Sequence, residues 1–229
     1  MKLFRLLAIP ASAVILGALA LALAVPAHAD TITWTNWSSA TGSSATGTMG
    51  GVGVTYSGQI VSVVANYPSW GPSTTFSGGT IDNAPPQSGG IIHMTGGSAL
   101  PESIAFSSPV VDPVIAIWSL GQAPEPASFN FTTSNFSIQA CGPATEYAGQ
   151  CITQVGNVVW GAEGNGVIQF TGTFSEIDFT TPNFEDWYGF TVGAPSGVPP
   201  VPEPGTLSLL GLGLAALPLL RSKFTRRRG

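Results

Sequence analysis

Chemistry in this chain must come from carboxylates, because the central stretch offers them no basic partner. From Asp30 to Val198 there is no Lys and no Arg. The same stretch holds eleven acids: Asp30, Asp82, Glu102, Asp112, Glu125, Glu146, Glu163, Glu176, Asp178, Glu185 and Asp186. Clustered acids without a base must stay solvated, hold a proton, or bind a cation. Glu176 and Asp178 stand at i and i+2, so a strand puts both on one face. Glu185 and Asp186 are adjacent, just before Trp187, and Glu163 and Asn165 lie in a Gly-rich turn. Hard oxygen ligands without His or Cys clusters suit calcium, so Glu163, Asn165, Glu185 and Asp186 form the expected Ca²⁺ set, against the alternative of ordinary solvated carboxylates. No other cofactor is expected. A glycosidase would need two carboxylates about 5–10 Å apart across a sugar cleft. Glu125, Glu176 and Glu185 are its candidates, and no catalytic residue is assigned.

Aromatic residues supply the second kind of chemistry. Trp70 lies in Tyr67-Pro68-Ser69-Trp70-Gly71-Pro72, a rigid loop, and with Tyr67 forms the expected sugar platform. Trp118 and Trp187 sit in apolar strand-like runs and read as core. His93 follows Ile91-Ile92 and reads as structural. Thr31, Thr33 and Thr35 make a Thr-x-Thr-x-Thr face, too small for an ice-binding surface. No Gly-x-Ser-x-Gly elbow supports a Ser nucleophile.

The charge distribution excludes several functions. All seven basic residues sit at the ends: Lys2, Arg5, Arg221, Lys223, Arg226, Arg227 and Arg228. The formal charge of −5 for 229 residues therefore hides a body near −11. Such a body cannot release counterions from nucleic acid, dock on anionic lipid or clamp a phosphoryl group with Lys or Arg.

The elements that must position these residues read as β structure throughout. Short β-type runs recur between turn signals: 31–37, 53–56, 60–65, 90–94, 103–106, 110–118, 129–132, 136–140, 158–160, 167–171, 174–180 and 187–193. Ser77-Gly78-Gly79, Ala84-Pro85-Pro86, Gly96-Gly97 and Thr181-Pro182-Asn183 mark turns between them. Val114 to Trp118 is apolar throughout, as in a central strand covered on both faces. No segment of ten residues carries a helical apolar stripe. The expected fold is all-β, a two-sheet antiparallel β-sandwich of jelly-roll type. Cys141 and Cys151 are the only cysteines and flank a loop with Gly142-Pro143 and Gly149, so a disulfide is expected to tie that loop.

Both ends read as addresses. Lys2 and Arg5 precede an apolar run over 6–25, and Ala27-His28-Ala29 is a small-x-small cleavage signature, so 1–29 is expected to be a signal helix cut after Ala29. At the other end, 195–200 is a Pro-rich linker. An apolar stretch over 207–220 follows, about 21 Å long as a helix and short of a ~30 Å bilayer core. A basic tail closes the chain. Val201-Pro202-Glu203-Pro204-Gly205, a Leu/Gly/Ala-rich helix and an Arg cluster together resemble the PEP-CTERM sorting domain, with Pro202, Glu203 and Pro204 as its core motif.

That resemblance, over 201–229, implies an exosortase and secretion machinery as partners. It also implies a precursor anchored transiently in the inner membrane by its C-terminal hydrophobic helix, then delivery to the cell surface or outside. Trp34-Thr35-Asn36-Trp37, Val110 to Ser119, Glu163-Gly164-Asn165-Gly166 and Trp187 to Gly193 resemble one group of cargo proteins of that system. The expected role of the 30–194 body is structural or adhesive and non-enzymatic, with exopolysaccharide binding as the alternative and a carboxylate-dependent hydrolase behind it.

Overall fold

The computed structural model describes residues 29–197, and these form an all-β body. The signal helix, the end of the linker and the sorting tail lie outside the described residues. Fourteen strands follow in order: β1 (Ile32–Trp34), β2 (Asn36–Ala40), β3 (Ser44–Met49), β4 (Val52–Ser57), β5 (Ser62–Val64), β6 (Ile91–Val111), β7 (Val114–Leu120), β8 (Ala127–Phe131), β9 (Phe136–Cys141), β10 (Gln150–Cys151), β11 (Thr153–Val155), β12 (Val158–Gly161), β13 (Gly164–Phe170) and β14 (Thr173–Pro195). One helical turn, α1 (Ser73–Phe76), and two 3₁₀ turns lie in the long β5–β6 connection.

Pairing joins all the strands into one hydrogen-bonded sheet whose main path runs β10-β13-β7-β14-β6-β4-β3-β2. Every pairing is antiparallel except the short β10–β13 ladder. The division into two separate sheets expected from the strand spacing is replaced by the two long strands. A straight β14 would measure about 76 Å at 3.3 Å per residue, against about 40 Å for a compact domain of this size. It must therefore bend, and it does so where its register with β6 shifts, between Phe174 and Glu176 and at three steps from Phe179 to Tyr188. The N-terminal arm of β14 pairs with β8 and the C-terminal arm with β7. Phe179 and Phe190, one on each arm, have ring centroids 5.9 Å apart, although the extended chain between them would span about 36 Å. The sheet thus folds over onto itself.

Between the arms lies an aromatic core containing Tyr56, Phe129, Phe131, Phe170, Phe179, Tyr188 and Phe190. Most of its ring pairs meet edge to face, as opposed quadrupoles favour. A second, smaller core covers the other face of β7, with Val114, Ala116 and Trp118 packed against Ile32, Trp34, Trp70, Phe76 and Ile91. The lid for this second face is the β5–β6 connection with its helical turns, together with Ala144. All seven residues of β7 are buried, as its unbroken apolar run predicts. The disulfide between Cys141 and Cys151 is formed and holds the 142–150 loop beside β13.

Candidate binding face at the end of β7

Three adjacent strands bring one row of residues together. Gly189 of β14 lies opposite His93 of β6 on one side and Trp118 of β7 on the other. The His93 ring sits 5.5 Å from Trp118 and 4.1 Å from Trp187, centroid to centroid. Tyr67 stands edge-on to both His93 and Trp118, at 5.5 and 5.9 Å. Tyr147, on the disulfide-tied loop, lies 5.6 Å from Trp118 and is 60% exposed. Trp118 and His93 are the buried floor of this cluster; Tyr67 and Trp187 are half-buried and Tyr147 is its outer wall.

Carboxylates border the rings. Glu185 is buried, and its Oε1 accepts the Trp187 amide at 2.8 Å. Burial drives its carboxyl up to about 7, helped by the nearby charges of Glu163 and Asp186. Glu163 is held at the other side by the Ser119 hydroxyl, which donates to Oε2 at 2.6 Å. Glu146, next to Tyr147, is raised by burial. Asn165 fastens the frame: its Oδ1 accepts the Ser119 amide at 2.7 Å, and its Nδ2 donates to the carbonyls of Ala148 and Glu163.

Two independent signs of strain converge on this place. Six described non-glycine residues have positive φ, and five of them belong to or adjoin the cluster: Asn66, Ser119, Tyr147, Ala148 and Glu163. Such conformations cost about 1–3 kcal/mol each and persist where the surrounding structure enforces them. Six described side chains bury a polar atom without a partner, and four belong to the cluster: His93 Nε2, Trp118 Nε1, Glu146 Oε2 and Glu185 Oε2. The Ser62 hydroxyl lies 3.2 Å from His93 Nδ1 and satisfies that nitrogen, which leaves Nε2 as the unpartnered one. Burial pushes His93 down to about 4, so the ring is neutral at ordinary pH. The face thus presents the partly exposed rings of Tyr67, Trp187 and Tyr147 over four buried polar atoms that lack partners.

The structure corrects the aromatic platform expected from the sequence. Trp70 is buried at 4% exposure and packs edge-on against Phe76, so it presents no surface to a ligand. Tyr67 remains, but its neighbours are Trp118 and His93 rather than Trp70. The four residues of the expected calcium set are divided. The charge of Glu163 bears on Glu185, Asn165 is committed to the frame, and Asp186 is exposed. Among the described residues no three His, Cys, Asp or Glu side chains gather into a metal-holding group. Glu176 and Asp178 do share a face, where burial, and after it the charge of Glu176, raises the Asp178 carboxyl. That face is on the other arm of β14, apart from Glu185, and Glu125 is exposed in a turn. Tyr147 and Glu146 escaped sequence reasoning because their loop carries no periodic signal; the Cys141–Cys151 bracket around them was the clue.

A second buried polar group lies in the main core. Glu102 accepts hydrogen bonds from Tyr56 and, at 2.7 Å, from the Thr181 hydroxyl, and burial raises its carboxyl. With its partners inside the packed aromatic core, this group serves the fold.

The fold defines an all-β body with an acidic, aromatic face at the end of β7. Residues 200–228 match the family model described as the PEP-CTERM protein-sorting motif. The chain thus carries an export address, which implies processing by an exosortase and a membrane-anchored precursor sorted outward. No curated protein and no solved structure matches the chain. Among the described residues no helix is long and apolar enough to cross a membrane.

Proposed function

We propose that the body is a non-enzymatic, adhesive protein of the cell surface or extracellular matrix, holding a hydroxyl-rich glycan against Trp187, Tyr67 and Tyr147. A signal peptide over 1–29 starts its export and the PEP-CTERM tail directs its sorting. The observation that carries the reading is the gathering of strained backbone and unpartnered buried polar atoms around one aromatic cluster. Sugar rings present apolar faces to aromatic rings, and their hydroxyls both donate and accept. The partly exposed rings of Trp187, Tyr67 and Tyr147 are the complement of such a sugar face. Anionic polysaccharides are disfavoured, because no Lys or Arg lies within the body and His93 is neutral.

Calorimetry of the body with oligosaccharides from the producing cell's own exopolysaccharide tests this. Binding that is lost in Trp187→Ala supports it; equal binding by that variant, or none by the parent, rejects it. Fractionation of cells carrying Pro202, Glu203 and Pro204 all changed to Ala tests the address. Normal processing and delivery of that variant would refute the sorting role.

One observation favours a second reading. Glu185 is protonated near neutrality while Glu163 accepts from Ser119, and two carboxyls held in unlike environments are the arrangement of a glycoside hydrolase. Release of reducing sugar by the parent, abolished in both Glu163→Gln and Glu185→Gln, would establish it in place of simple binding.

A further inference from the structure

The residues just before β1 are placed to use a charge that the uncut chain does not carry. We infer that cleavage between Ala29 and Asp30 leaves an α-ammonium group that belongs to the fold, a structural cation that holds the N-terminal seam closed; this rests on the signal-peptide part of the proposal above. The compact unit of the structure begins at Ala29, and Asp30 is the first residue stitched into it. The Asp30 amide donates to the Thr80 carbonyl at 2.7 Å, and the Asp30 carbonyl accepts the Asp82 amide at 3.0 Å, in a parallel bridge opposite Ile81. Asn83 then clamps the next turn of the strand: its Oδ1 accepts the Ile32 amide at 2.6 Å and its Nδ2 donates to the Ile32 carbonyl at 3.0 Å. Ala29 is exposed, so its removal takes nothing from either core. The Asp30 nitrogen keeps its bond to Thr80 and gains a positive charge, and a charge-assisted hydrogen bond is roughly twice as strong as a neutral one. The surroundings suit a cation. Asp82 and the side chain of Asp30 itself are the charged groups of the bridge. From β9 and β13 only amide side chains, Gln139 and Gln169, reach the Thr80 hydroxyl. The end of β14 brings uncharged Ala194, Pro195 and Ser196 alongside β1. With no Lys or Arg in the body and His93 neutral, this ammonium is the one positive charge the body holds near neutrality. The position is exacting. A cut one residue earlier puts the charge on exposed Ala29, and a cut one residue later removes the donor to Thr80.

Both hydrophobic cores lie within the body, so its melting can be read alone. Thermal melts compare the body beginning at a free Asp30, the same body with Asp30 N-acetylated, and one that retains Ala29. All three keep the bond from the Asp30 nitrogen to Thr80, and only the first puts a charge on that nitrogen. An ammonium held this way has its folded pKa raised, so its stabilisation is present below the ordinary α-amino value of about 8 and is lost as pH rises through the folded value. At about pH 6 the free-Asp30 body should melt about 2–4 °C above the other two, and its lead over the acetylated body should close by about pH 10. The titratable side chains are the same in all three and cancel. Equal melting at the lower pH overturns the inference. A lead that persists undiminished at the higher pH also overturns it, since the acetyl group rather than the charge would then be the cause. Sequencing the first residue of exported protein reads the same point in the cell, and Asp30 is expected. A cut at any other bond overturns the inference and leaves export by a signal peptide intact, whereas exported protein that retains residues 1–29 removes the signal-peptide reading with it.

Discussion

Changing Glu185 to Gln should stabilise the protein in alkali and leave it unchanged in acid. In the folded state burial lifts this carboxyl from an ordinary 4.5 to about 7. A raised acid binds its proton more tightly folded than unfolded, so stability is greatest below about 4.5 and falls as pH rises to 7. Each pH unit of difference is worth about 1.4 kcal/mol, so the cost above pH 7 reaches about 3 kcal/mol. Gln has the shape of the protonated acid and keeps the oxygen that accepts the Trp187 amide, but it has no proton to lose. The variant should match the parent at pH 4.5 and exceed it by up to about 3 kcal/mol at pH 8. In a domain of this size that is roughly 6–12 °C in melting temperature. His93 works in the opposite direction. Burial depresses it from 6.5 to about 4, so it takes stability away as pH falls through that interval. In the parent the two slopes oppose each other between pH 4.5 and 6.5. Glu185→Gln removes the Glu185 slope and keeps the His93 one, so from pH 4.5 to 6.5 the stability of the variant should gain steadily on that of the parent. The raised carboxyls of Glu102, Glu146 and Asp178 are common to both proteins and cancel in the difference. Thermal melts of both proteins from pH 4.5 to 8 are the assay. A variant that melts at or below the parent at pH 8 would refute the assignment of Glu185 as a buried acid strained by its own ionisation.

Gly149→Ala should cost about 2 kcal/mol or more, because Gly149 has φ +75° and a Cβ there would lie 2.0 Å from the Glu163 carbonyl oxygen; urea titration reads this as a lower midpoint at unchanged slope. Replacing both Cys141 and Cys151 with Ser should remove about 2.8 kcal/mol by the chain-entropy relation for an eleven-residue ring, and equal melting of the two proteins would contradict it. Tyr56→Phe should cost about 1–3 kcal/mol by leaving a Glu102 oxygen buried without its donor, measured by the same denaturant titration. Protein recovered from outside the cell should focus well below pI 4.8, the value for the whole sequence, and a band at 4.8 would mean the basic ends are retained.

Strand character was easy to read where apolar residues alternate or run unbroken. Val114 to Trp118 and Phe136 to Ala140 fall within β7 and β9, and the Cys141–Cys151 bridge forms as its spacing suggests. The long strands were not legible. Gly96-Gly97 and Thr181-Pro182-Asn183 have the chemistry of turns, yet both lie inside β6 and β14. They meet at the register shifts Thr181↔Ser98 and Phe184↔Gly96, where local irregularity bends the ladder instead of ending it. β3 escaped because Ser44 to Met49 has little apolar bulk, although Ala45, Gly47 and Met49 do alternate inward. The candidate site was half visible. Glu163 and Glu185 stood out as acids without bases, but their meeting depends on β7, β13 and β14 being neighbours, which no local pattern encodes. Trp70 looked exposed because its loop is rich in Pro and Gly. Its burial against Phe76 depends on the loop folding down as the cover of the second core.

β1 lies antiparallel to the end of β14, with Ile32 opposite Pro195, and the Ser196 amide donates to the Thr31 carbonyl at 2.9 Å. The body's first and last strands therefore leave it side by side, like two leads on one plug. Whatever precedes residue 29 and whatever follows residue 197 begins at the same spot. From Gly189 to Pro195 β14 runs without a register shift, so that spot lies about 20 Å along the strand from Gly189, with Trp187 and Glu185 farther still. A pull on the tail thus enters at a seam of only three residue pairs, away from the aromatic face around Trp187.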